Sequence, residues 1–580
     1  MKTDRAALKL LVNAVRPDQR RFTWAVVTLV IAGLFEAMGP LLGKVFVDDY
    51  LMAQTSTPSD AAWLLLGMLL VNWAASGLRY LSMITMARVA MQAVQRLRQW
   101  VHAHVLKLPI ATFDSSHSGQ LVSRITNDTE QIRRLYVQAL FEMLQGLTIL
   151  FGAIVAMAWL DWRLMLIVLM LVPIMTGIIW LYRRLSAAAV MRTRELRSDI
   201  NAQIAESIAG MTVLQASRST GRAASRFANT NQHYYASRLR EMRANAWLLR
   251  PALDFVSLLL VIATVAAFGT LPFEALQVGL LYAFISYIER VVEPLIQITQ
   301  QFSMLQQSLA SATRLDELLR TPTEKHSETS RQLSSGRVQI KNLSFGYQAD
   351  NPVLNQIDLD IPAGHYFGIV GHTGAGKSSL LALLLRFYHA QEGQILLGEI
   401  PLNELDDASF HAQVGLVPQE PFLLAASVRE NIDMGRGLSD ERIELAARQA
   451  GAHDLVTTLE AGYDTVLGEG GARLSAGQKQ LLAVARALAG QPRLLLLDEA
   501  TSRVDSETEQ IVTRAVAQLH GNVTVIAIAH RLSTLRHADQ IAVLNHGHLA
   551  ELGSHEQLMR VEQGLYKRLY QLQQLSTQSQ

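Results

Sequence analysis

The chain has 580 residues, too many for one hydrophobic core, so at least two domains are expected. Hydrophobic residues make up 50% of it, charged residues 18%, and mean hydropathy is +0.17, too apolar for an ordinary soluble protein and too polar for one wholly embedded in lipid. A net charge of +2 gives no reason to expect a nucleic-acid partner, and the absence of cysteine excludes disulfides and thiolate metal sites, in keeping with reducing cytosol.

Met1 to Arg21 is basic and polar without an apolar core or small-residue cleavage site, so no cleaved signal peptide is expected. Six apolar stretches of near-spanning length follow, at about 22–47, 61–84, 137–160, 163–182, 246–268 and 275–298. Basic residues collect on alternate connections: Arg16, Arg20 and Arg21 before the first, Arg88 to Arg134 between the second and third, Arg183 to Arg197 after the fourth. The opposite connections carry almost none, so both termini are expected in the cytosol of a multi-pass protein. Trp159, Trp162, Trp180 and Tyr182 flank the third and fourth spans as an interfacial belt would.

Within the spans, Glu36 precedes Gly39-Pro40, where a kink leaves carbonyls to satisfy; a structural hydrogen bond to a neighbouring helix is favoured over a contact for cationic substrate or protons. Asp254 in the fifth span is similar, whereas Glu289, Arg290 and Glu293 are expected near the cytosolic boundary, solvated. The connections at about 85–135 and 185–245 are polar and rich in helix formers. Half of such a loop, about 25 residues, projects roughly 35–40 Å as helix. Gly119 and Gly210 lie near their middles, where glycine permits a break.

Phe113-Asp114, Gly119, Arg124 and Asn127-Asp128 resemble the first intracellular loop of ABC exporters, and Glu206 to Val213 resembles the second. The resemblance implies coupling helices near 113–120 and 206–214 that transmit motion to nucleotide-binding domains.

Thr321 to about 336 reads as a linker, and short β-rich runs then alternate with helices, as in a mostly parallel P-loop sheet. Tyr347 lies in Phe345-Gly346-Tyr347. The apolar run Tyr366 to Val370 leads into Gly371-His372-Thr373-Gly374-Ala375-Gly376-Lys377-Ser378-Ser379: strand, glycine-rich turn, helix start. Backbone N–H groups there converge on phosphate oxygens, Lys377 serves the β- and γ-phosphates, and the Ser378 hydroxyl is placed for Mg²⁺. Leu494 to Leu497 delivers Asp498 and Glu499 at a strand end, the first for Mg²⁺ through water, the second for the attacking water.

Leu474-Ser475-Ala476-Gly477-Gln478 closely resembles the ABC signature, with Ala476 where glycine is usual. By this resemblance Ser475, Gly477 and Gln478 face the γ-phosphate held by another subunit. It likewise implies that Tyr347 stacks on adenine, Gln419 reaches Mg²⁺ and the attacking water, Glu469 contacts coupling helices, and His530 meets the γ-phosphate. Asp505 ends the D-loop Ser502-Arg503-Val504-Asp505, where Arg503 departs from the usual alanine.

The resulting expectation is an all-α six-helix transmembrane domain over 1–320, with long cytosolic helical extensions. A linker, 321–336, joins it to an α/β P-loop domain of ABC type over 337–580. The whole resembles a bacterial exporter half, and Leu281 to Ile288 with Glu293-Pro294-Leu295, together with Leu474 to Ala485, look most like MdlB-type multidrug-resistance proteins of the inner membrane. That resemblance implies ATP and Mg²⁺ as cofactors and a hydrophobic or amphipathic small molecule as cargo. It also implies a second half-transporter as partner, a different chain being favoured and a second copy possible. Three alternatives stay open: a siderophore-type importer would share every motif, a lipid flippase would show hydrolysis stimulated by lipid, and a regulatory receptor or ATP-gated channel is opposed by the complete catalytic set.

Overall fold

The computed structural model describes residues 2–52, 57–115, 118–248, 250–270, 278–323, 331–348, 351–498, 506–529 and 531–578. The chain divides into two compact units, Met1–Lys107 with His117–Pro322, and Leu108–Ser116 with Thr323–Gln580.

The first unit is helical: α1 (Lys2–Val15), α2 (Gln19–Val45) and α3 (Pro58–Val105) precede the short α4 (Ile110–Ser115), which packs with the second unit. Then come α5 (Ser118–Ser123), α6 (Thr129–Arg134), α7 (Leu140–Leu160), α8 (Trp162–Leu169), α9 (Leu171–Ala209), α10 (Met211–Ala216), α11 (Thr220–Leu248), α12 (Arg250–Thr270) and α13 (Val278–Arg320). Among the described residues four helical runs, Arg5–Met52, Pro58–Val105, Gly119–Leu160 and Trp162–Ala209, are long and apolar enough to cross a membrane. Asp254–Gly269 is a shorter apolar helix, and the sixth apolar stretch forms the first part of α13. Trp63, Trp73 and Trp159 are more than 70% exposed, as side chains facing hydrocarbon can be.

Local sequence explains the boundaries. Thr57 and Asp60 exchange the reciprocal bonds of a capping box that starts α3. The tight turn between α7 and α8 is made by Asp161, whose carboxylate accepts from Arg163 N at 2.7 Å and Leu164 N at 3.2 Å. The fourth apolar stretch pauses at Met170 because Pro173 has no N–H for the carbonyl of Leu169.

The polar helices α9 and α11 run antiparallel, with Thr193 and Ser237 hydroxyls 3.1 Å apart and Gln203 Nε2 donating to Thr230 Oγ1 at 2.9 Å. At their tip Gly210 separates α9 from α10, so the second tip helix is Met211–Ala216, a few residues later than the sequence pattern suggests. Gly210 has φ −91°, so its freedom is not used; it leaves room instead, since a Cβ would stand 3.2 Å from the Glu206 carbonyl oxygen. Gly119 lies inside α5, not at a helix break; residues 116 and 117 fall outside the described set.

Two further expectations change. Arg290 is not simply solvated: its guanidinium donates to the backbone carbonyl of Glu36 at 2.7 Å. The structural hydrogen bond expected at Glu36 thus belongs to its backbone, because Pro40 cannot donate to the carbonyl four residues earlier. Asp128 is 7% exposed and is held by a two-pronged contact from Arg314, whose Nε lies 3.1 Å away.

The second unit has two sheets. One is antiparallel, in the order β2 (Leu354–Ile361), β1 (Val338–Phe345), β4 (Glu392–Leu397) and β5 (Ile400–Pro401). The other runs β10 (His548–Gly553), β9 (Gln540–Asn545), β3 (Tyr366–Gly371), β8 (Thr524–Ile528), β7 (Leu494–Asp498) and β6 (Val414–Val417). It is parallel except for β10, and its central strands are buried on both faces, which is why they read as unbroken apolar runs. Packing begins ahead of β1, since Leu333 is 2% exposed within the core.

Candidate functional site

Sheet register sets the site. Ile369 of β3 and Asp498 of β7 both pair with Ile528 of β8, and Leu497 pairs with Val417 of β6. The turn beginning at Gly371, Asp498 and Gln419 therefore all leave the carboxyl ends of neighbouring parallel strands, the edge where open α/β sheets bind ligands. His530 follows β8 by two residues and Glu499 follows Asp498; with Arg503 and Asp505 they lie outside the described residues.

The turn after β3 demands glycine. Gly371 has φ +155° and a Cβ there would stand 2.3 Å from the Leu544 carbonyl oxygen. Gly376 has φ +99°, with Leu354 Cδ2 2.6 Å from the same imagined atom, while Gly374 has φ +83° in open space. Ala375 is buried, and Thr373 lies in the turn.

The helix Lys377–Leu384 starts directly at the lysine. Lys377 is only 6% exposed, and its ammonium donates to the carbonyls of Gly371 at 2.7 Å and His372 at 3.0 Å. The cation is thereby folded over a cradle of backbone amides, the donor set suited to a polyphosphate. Ser378 is exposed on the first turn. Ser379 is buried, with its hydroxyl 3.0 Å from that of Tyr347, so it supports the aromatic wall.

That wall was only partly legible. Tyr347 is 53% exposed and meets Phe345 and Tyr388 edge to face, with both ring-centre separations at 5.1 Å. Tyr388 went unnoticed in the sequence, although an aromatic pair, Phe387-Tyr388, stands in the bend just after the helix that follows the glycine-rich turn. Its hydroxyl donates to Asp114 Oδ2 at 2.5 Å, tying α4 to this wall. Burial, reinforced by the Asp114 carboxylate, pushes the Tyr388 phenol up to about 12.

Ser475 caps the helix Ala476–Ala489: its hydroxyl accepts from Gln478 N at 3.2 Å, and its own N–H donates to Gln478 Oε1 at 2.9 Å. Gln478 is thus engaged in the capping box. Ala476 occupies the first helical position, which needs no glycine conformation, so its departure from the usual motif carries no backbone cost. Gly477 does need its size: a Cβ would approach Thr508 Oγ1 to 2.7 Å. Glu469 is exposed in a short turn among Gly468, Gly470 and Gly471, all with positive φ.

Residues 22–295 match the ABC transporter transmembrane region, and residues 354–502 match the ABC transporter domain. A relative from Buchnera aphidicola subsp. Acyrthosiphon pisum, "Multidrug resistance-like ATP-binding protein MdlB", is 33% identical over 567 residues, covering 98% of each chain. An "ATP-dependent lipid A-core flippase" of Syntrophus aciditrophicus is 31% identical, covering 97% of this chain and 94% of that protein. Among solved structures, a bacterial Atm1-family ABC exporter with ATP bound superposes with a TM-score of 0.80 at 27% identity, over 96% of this chain and 98% of that one.

Proposed function

Since this chain belongs to the ABC transporter family, whose members couple ATP hydrolysis to movement across a membrane, we propose that it is one half of a bacterial inner-membrane exporter of hydrophobic or amphipathic compounds. The observation that supports this most is the coexistence of a glycine-rich phosphate cradle with a second serine-capped, glycine-containing helix start, Ser475-Ala476-Gly477, in one chain. One subunit's Lys377 and the other's Ser475 and Gly477 close on the same triphosphate, so each site needs two polypeptides. We favour a different half-transporter as the partner, and a second copy is the alternative. Both termini and the nucleotide-binding unit lie in the cytosol on this reading.

Within one site, Lys377 and the glycine-rich turn hold the phosphates, with Tyr347 against the base and Ser379 behind it. Gln419 and Glu499 orient the water, His530 stands at the γ-phosphate, and Asp505 lines the junction between subunits. Ser378, Asp498 and Gln419 are the oxygen donors that suit Mg²⁺, which when bound neutralises charge developing on the phosphates. Gln478 acts by fixing Ser475.

Mixing tests the shared site. Chains carrying Lys377→Ala and chains carrying Ser475→Ala are each expected to be inactive as homodimers, whereas a mixture regains activity because one of the two sites in a mixed dimer is intact. Activity gained only on adding a different half-transporter identifies the favoured pairing. Full activity of the unpaired chain overturns the shared site. Stimulation of hydrolysis by lipid but not by amphipathic dyes would favour a flippase over a drug exporter.

Tyr388→Phe keeps the ring contacts and deletes the bond to Asp114, a charge-assisted bond of about 1.5–3 kcal/mol. Basal ATP hydrolysis is expected to stay within about twofold while cargo moved per ATP falls several-fold, measured in vesicles from the same preparation.

A further inference from the structure

We propose that Arg290 and Tyr287 are positioning residues that latch α13 onto the proline-opened backbone of α2, so that movement of α13 is passed to α2 at Glu36 and Ala37. The inference rests on the exporter reading only for its transport consequence. Pro40 lies inside α2 and leaves the Glu36 carbonyl without an in-helix donor. That oxygen receives the Arg290 guanidinium at 2.7 Å, and the next one, Ala37 O, receives the Tyr287 hydroxyl at 2.5 Å. Arg290 and Tyr287 are three residues apart, hence on one face of α13, and they meet consecutive carbonyls of α2.

The match continues along an antiparallel seam. Gly43 admits the ring of Tyr282, since a Cβ there would stand 2.5 Å from it. Further on, Asp48, in the helical turn Phe46–Met52 that follows α2, accepts from Gly279 N at 2.6 Å while paired with Lys44 at 3.1 Å, so its carboxylate sits at the first turn of α13. As numbers rise along one helix they fall along the other: 36 with 290, 37 with 287, 43 with 282, 48 with 279.

A helix lacking one rung of its ladder is most compliant there, and two donors from α13 clamp that point. α13 ends at Arg320, directly before the segment that leads to the nucleotide-binding unit. Losing the clamp therefore loosens α2, at its most compliant point, from the part of the chain that ATP moves. What Arg290 supplies is a donor for a backbone oxygen, not a charge for cargo.

The test uses full-length chain in its assembled dimer, with ethidium uptake by inverted vesicles, basal ATP hydrolysis and melting temperature as readouts. Arg290→Met is expected to lower uptake about tenfold with hydrolysis within about twofold, the scale of one lost charged donor. Arg290→Gln, a donor without charge, is expected to stay within about threefold of wild type. Pro40→Ala returns an N–H to the Glu36 carbonyl, so the melting temperature of Arg290→Met with Pro40→Ala is expected above that of Arg290→Met alone. Equal damage from glutamine and methionine, or additive losses in the double variant, overturns the latch. If wild-type protein moves no ethidium, the drug-export reading fails while the melting-temperature comparison still judges the latch.

Discussion

Lys377→Met is expected to reduce ATP hydrolysis by about a thousandfold or more, on the scale set by removing a preorganised charge from a phosphoryl-transfer site. Lys377 is 6% exposed and its ammonium sits on two carbonyl oxygens of its own turn, so it is already partly stripped of water and needs little rearrangement to meet phosphate. A cation so placed acts through a lower effective dielectric than a surface lysine. Methionine keeps the length and apolar stem, which pack with the buried start of the helix Lys377–Leu384. The melting temperature without nucleotide should stay close to wild type, and its rise on adding ATP should shrink. Phosphate release within tenfold of wild type would remove Lys377 from the site.

Glu499→Gln should separate binding from chemistry. Asp498 ends the buried strand β7 at the same carboxyl edge as Gly371 and Gln419, and Glu499 is the next residue in the sequence. A carboxylate at that point can take a proton from the attacking water, whereas an amide cannot, and such general-base losses run about 10² to 10⁴-fold. The variant is expected to retain ATP and to hold the two nucleotide-binding units together, giving a larger ATP-dependent rise in melting temperature than wild type. Turnover near the wild-type rate, with Glu499 in the only competent site, would exclude it as the base.

The motifs of the nucleotide-binding unit were readable because each is local. A glycine at positive φ, a lysine one residue later and a strand before them lie within twelve residues, so chain connectivity alone brings them together. The same holds for the capping box of Ser475 and Gln478. Ala476 was a departure in sequence and none in conformation, because the first helical position tolerates any Cβ. Arg290 was misplaced for the opposite reason. Its partner is 254 positions away, and an arginine beside two glutamates looks like a solvated helix surface when only its own neighbours are seen.

By itself, then, the sequence determined the division into an apolar helical part and an α/β part, and the cradle, since apolar length, periodicity and turn chemistry are properties of contiguous residues; the family came from the resemblance of its motifs. Only the tertiary structure decided that Tyr388 holds Asp114, that Arg314 holds Asp128, and that Arg290 serves the carbonyl opened by Pro40 while Tyr287 serves the next one. Such pairs depend on the rotation and register of one helix against another. A pattern along a single helix fixes which face is turned inward, not which neighbour it will meet.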